Sequence, residues 1–97
     1  MESPKETRII DEKLLQKIRE LPCIVCSRPG PSDPAHIQSR GSGGDDVEWN
    51  LIPLCRRDHS SQHSLGWDRF CEKFPSVRRA LEKRGWVIIN GRLRRKE

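Results

Sequence analysis

All three histidines of this 97-residue chain, His36, His59 and His63, and three of its four cysteines, Cys23, Cys26 and Cys55, fall within residues 23–63. Cys23-x-x-Cys26 in "CIVC" and Cys55-x-x-Asp58 in "CRRD" have the form of two knuckles gripping one zinc ion. Two residues between ligands let a tight turn aim both side chains at one ion, with Zn–S near ~2.3 Å. The three cysteines are the firm ligands. Asp58 stands where a fourth Cys or His is usual; carboxylate is a legitimate but less common zinc ligand, and Cys71 and His59 are its rivals. His59 and His63 are one helical turn apart, so both imidazoles face one side and can hold a divalent ion.

The elements that must position these groups follow from the local pattern. Ile10, Leu14, Leu15, Ile18 and Leu21 recur at helical spacing, and Pro22 stops that helix. The turn-rich "SRPGPSDP" leads into a short strand around Ala35 to Gln38, and "SRGSGGDD" reads as a flexible loop. A second strand is expected over Glu48 to Leu54 and a helix from about Arg57 to Leu65. Two further helices are expected, over 66–74 and 76–84, the second capped by Ser76 and ended by Gly85. "WVIINGRLRR" predicts a C-terminal hairpin, since Asn90-Gly91 suits a type I′ turn. Residues 1–8 are polar and expected to fray. The fold class is therefore α+β in one small domain over 1–97, with its core in 23–70.

The ordered set "CIVC", "DPAHI" and "NLIPLCRRDHSSQH" resembles the HNH endonucleases of the ββα-metal type, and is closest to a phage-associated branch with a zinc knuckle. The likeness covers Cys23 to Phe70. It implies a β-hairpin and helix around a catalytic ion, braced by structural Zn²⁺, and cleavage of DNA phosphodiesters as an endonuclease or nickase. His36 would be the general base, imidazole titrating near neutral pH. Asn50 would brace the hairpin and the base, and His59 and His63 would hold the ion. Mg²⁺ tolerates a sparse, watery shell; two imidazoles suit Mn²⁺, Ni²⁺ or Zn²⁺ better. One departure is Ala35, where the family usually places a ligating Asp or His; Asp33, two residues earlier on the same strand face, is the available substitute.

Charge points the same way. The chain carries 19 basic and 14 acidic residues, net +5, and residues 76–97 hold eight basic against two acidic. Such asymmetry suits a polyanion, with Arg92, Arg94 and Arg95 as the DNA-contacting residues. No apolar run approaches the ~20 residues of a membrane span. "MESPKETR" lacks a signal-like core, so a cytoplasmic location is expected, where CxxC reads as a metal or redox site before a disulfide. No thioredoxin-like pattern surrounds it. The competing functions are a zinc-knuckle module that binds nucleic acid without cleavage, and an adaptor for phage packaging or recombination proteins.

Overall fold

A computed structural model describes residues 8–96; of residues 1–8, expected to fray, 1–7 lie outside them, whereas Arg8 is tied by its side chain to Gly44 O at 3.0 Å. Helix α1 spans Glu12–Arg19, with the Asp11 carboxylate accepting from the Leu14 N–H at 3.0 Å and Lys17 and Arg19 in the last turn. These charges complement the helix dipole. The expected helix over 10–21 is shorter at both ends because the cap and Pro22 set its limits. Ile10 and Leu21 are left outside it, 71% and 45% exposed.

Strand β1, Asp33–His36, pairs antiparallel with β2, Leu51–Leu54, placing Asp33 opposite Leu54 and His36 opposite Leu51. Both strands differ from expectation: β1 starts and ends two residues earlier, and residues 48–50 form a 3₁₀ turn ahead of β2. Alternation along the strands explains why all of β2 is buried. Leu51 meets Leu15 and Ile18 of α1, whereas Ala35, Ile52 and Leu54 join the main core with Phe70, Cys71, Val77 and Leu81.

Helix α2, Arg56–Leu65, starts directly after Cys55 at the end of β2, and Gly66 at φ +84° turns the chain into α3, Trp67–Lys73. Helix α4, Pro75–Lys83, uses Pro75 in its first turn, not Ser76 as a cap. Strands β3, Trp86–Ile89, and β4, Arg92–Arg95, form the C-terminal hairpin. Asn90 at φ +53° and Gly91 at φ +76° make the left-handed turn that matches strand twist. The molecule is a small α+β domain with four helices and two two-stranded sheets among the described residues. No helix there is long and apolar enough to cross a membrane.

Candidate metal centre and histidine site

The first knuckle is a turn closed on itself. Cys23 N–H donates to Arg28 O at 2.9 Å, Ser27 N–H donates to Cys23 O at 2.8 Å, and Ser27 takes φ +63°. Ile24 N–H donates to Pro53 O at 3.1 Å, which ties this turn to β2 beside the second knuckle. Cys23, Cys26, Cys55 and Asp58 thereby bring one ligand atom each to within 4.8 Å of one another. The Cys26 and Cys55 sulfurs are 3.9 Å apart, and Asp58 Oδ2 lies 3.3 Å from Cys23 Sγ and 3.2 Å from Cys55 Sγ. Sulfur atoms at the corners of a zinc tetrahedron stand about 3.8 Å apart, so the donor set fits one ion of that size.

Asp58 is the fourth member, held by the first turn of α2. Its Oδ1 accepts from Arg57 at 3.4 Å, leaving Oδ2 to the thiols. Burial pushes its carboxyl up, but the hydrogen bonds from Cys55, Arg57 and Cys23 outweigh this and hold it below the ordinary value. Burial raises the Cys55 thiol to about 11, while the Arg28 N–H draws Cys26 down. Neither rival joins the group. Cys71 is buried in α3 with its thiol raised to about 11 by burial, and His59 is turned elsewhere.

His59 and His63 lie on one face of α2 with ring centroids 4.9 Å apart. His59 Nδ1 lies 3.0 Å from Asp33 Oδ2, so Asp33 meets His59 through a hydrogen bond. Arg56 also forks onto this carboxylate, at 2.9 and 3.3 Å, and Arg56 first, with His59, lowers the Asp33 carboxyl against its burial. Ala35 is fully buried in the core. A ligating carboxylate there would be sealed among apolar side chains.

His36 is one strand position on from Ala35 and so faces the other side of the hairpin. Its Nε2 is 2.7 Å from Asp46 Oδ1. Among the described residues the three cysteines and Asp58 are the one compact metal-ligating group, and the structure does not gather His36, His59 and His63 into a second.

Asp46 is the residue that sequence reasoning missed, because "GGDD" has the composition of a flexible loop. The loop is instead pinned from both ends. Asn50, fully buried, accepts from Gln38 N–H at 2.7 Å and donates to Gln38 O at 3.1 Å and Asp45 O at 3.0 Å. Asn50 thus clamps residues 38–50. Gly44 packs so closely that a Cβ would sit 1.9 Å from Gln38 O. Outside the loop, Asp11 N–H donates to Asp46 Oδ2 at 3.0 Å and Arg8 donates to Gly44 O at 3.0 Å. Burial raises the Asp46 carboxyl, but His36, the Asp11 N–H and Arg40 more than offset it and lower the pKa.

The basic candidates are all exposed but do not share one face. Cross-strand pairing sets Arg92 and Arg94 with Ile89 and Val87, and Arg95 with Trp86 on the opposite face. Arg95 lies 3.8 Å over the Trp49 ring.

These features define a small α+β domain with a Cys₃Asp cluster able to hold a metal ion. The chain belongs to the family described as protein of unknown function DUF968, which matches residues 1–77 and so includes both knuckles and every histidine. No curated protein and no solved structure matches it.

Proposed function

We propose that this chain is a metal-dependent DNA endonuclease or nickase of the HNH type, with structural zinc in the Cys₃Asp cluster. The observation that carries the reading is the state of its imidazoles. His36 and His59 each have one ring nitrogen tied to a carboxylate, at 2.7 and 3.0 Å, and remain partly exposed. Such a bond fixes the tautomer and leaves the second nitrogen free for chemistry. His36 donates from Nε2 to Asp46, so Nδ1 carries the lone pair that takes a proton from the attacking water. Asp46 then steadies the imidazolium without taking the proton, as a carboxylate does beside a catalytic histidine.

His59 donates from Nδ1 to Asp33, so Nε2 is the nitrogen free to ligate, with His63 beside it. Asp33 serves this reading better as the group orienting His59 than as a replacement ligand for Ala35, because Arg56 already occupies both its oxygens. A divalent ion held there supplies charge stabilisation for the phosphate and the leaving oxygen. The β1–β2–α2 order and the Asn50 clamp support the same reading. Plasmid nicking with Mg²⁺ or Mn²⁺, abolished by chelation, is the test; no nicking with any divalent ion overturns it.

The separation of His36 from the α2 histidines favours one alternative, a zinc-braced module that binds nucleic acid without cutting. Duplex binding with no nicking would select it.

A further inference from the structure

An open cleft of about 400 Å³ lies between the C-terminal hairpin, α3 and the chain just beyond β1. Ile37, Trp67, Trp86 and Leu93 wall it, and Arg94 and Arg95 stand at its edge. That volume falls in the range of ligand sites, about 300 to 1,000 Å³. Two of the chain's tryptophans, Trp67 and Trp86, line it, and Trp49 packs behind Trp86. Trp86 is fixed by an indole N–H donated to Trp49 O at 2.8 Å, and its ring lies 6.0 Å from that of Trp49, under Arg95. Trp67 packs edge-on against Phe70 at 6.1 Å, yet remains only half-buried. Its remaining surface faces a cleft that Arg95 also lines.

Flat aromatic walls beside positive charge suit a base with its flanking phosphates, whatever the base. Paired bases inside a duplex are stacked and cannot enter. The cleft also adjoins the histidine site along the chain. Ile37 and Gln38 line it directly after His36, and Asn50 clamps the Gln38 main chain.

We infer that this cleft takes an unpaired base of a DNA strand, stacked on Trp67 with its phosphate on Arg95, which shares the Trp86 and Leu93 face of the hairpin. Single-stranded or locally unpaired DNA is then the substrate class. The inference deepens the nuclease reading and rests on it for the nucleic acid, but the binding it requires does not depend on cleavage.

The test is anisotropy of a labelled oligothymidylate and of a duplex of equal length, without added Mg²⁺ or Mn²⁺, with plasmid nicking run in parallel. The single strand should bind more tightly and quench tryptophan fluorescence. Trp67→Leu keeps an apolar wall but no stacking face and should weaken single-strand binding about 5- to 150-fold. Trp67→Phe should retain most of it, which a packing role alone does not predict for a variant that also loses the indole. Arg95→Ala, at an exposed position, should weaken it as well. Equal affinity for the duplex, or Trp67→Leu binding as wild type, overturns the cleft even if the protein nicks. A single-strand preference lost in Trp67→Leu by a protein that never nicks keeps the cleft and overturns the nuclease.

Discussion

Cys26→Ala separates the metal from the core, because Cys26 is exposed whereas Cys23 and Cys55 are buried. Truncating an exposed thiol opens no cavity, so any large loss of stability reports a missing ligand. Structural zinc is worth about 10 to 16 kcal/mol in small folds, or about 2.5 to 4 kcal/mol per donor if shared evenly over four. That share corresponds to about 10²- to 10³-fold in zinc affinity. In a domain of this size the same loss lowers Tm by about 10 to 30 °C, enough to leave much of the chain unfolded at 37 °C. Cys71→Ala is the matched control. Its sulfur lies in the core and outside the metal-ligating group, so it should cost about 1 to 2 kcal/mol through packing while zinc content stays unchanged. Metal analysis of purified protein, competition with a chromophoric chelator and melts with and without chelator read all three quantities. Purified wild type without tightly held zinc, or Cys26→Ala retaining it at wild-type affinity, would refute the reasoning.

In the proposed nuclease, His36→Ala should keep divalent-ion binding at the α2 histidines while nicking falls about 10²- to 10⁴-fold. His63→Ala should lose ion affinity and nicking together, and loss of ion binding in His36→Ala instead would make His36 a ligand. Arg92→Ala with Arg94→Ala, on one face of β4, should flatten the log–log salt dependence of duplex binding by about 1.8, two phosphate contacts at about 0.9 each; an unchanged slope would make them a solvated edge. Asp46 has its pKa lowered from 3.8 by its pairing with His36. Its stabilising contribution is therefore present above the unfolded value and lost as pH falls below about 4 through the folded one. Denaturant titrations of wild type and Asp46→Asn should converge toward acid and diverge near pH 6. Parallel curves would show that the carboxylate contributes nothing.

Short-range chemistry made much of this molecule legible in its residues. Two-residue spacings paired Cys23 with Cys26 and Cys55 with Asp58, because a tight turn decides where both of its side chains point. His59 and His63 face one way because a helix has a fixed period, and Asn90-Gly91 bends the last hairpin because few other residues favour left-handed backbone. Tertiary structure decided what depends on partners far along the chain. Asp58 rather than Cys71 completes the cluster only because β2 delivers α2 to the first knuckle. Asp46 becomes a buried partner of His36 because Arg8, Asp11 and Asn50 pin a loop whose composition signals freedom. Strand alternation sets His36 on the face opposite Asp33 and Arg95 opposite Arg92 and Arg94, but only the packing of α2 against β1 decides that Asp33 is the one to meet His59. A one-residue change of register exchanges the two faces of a strand, so no reading of composition or spacing fixes which side chains meet.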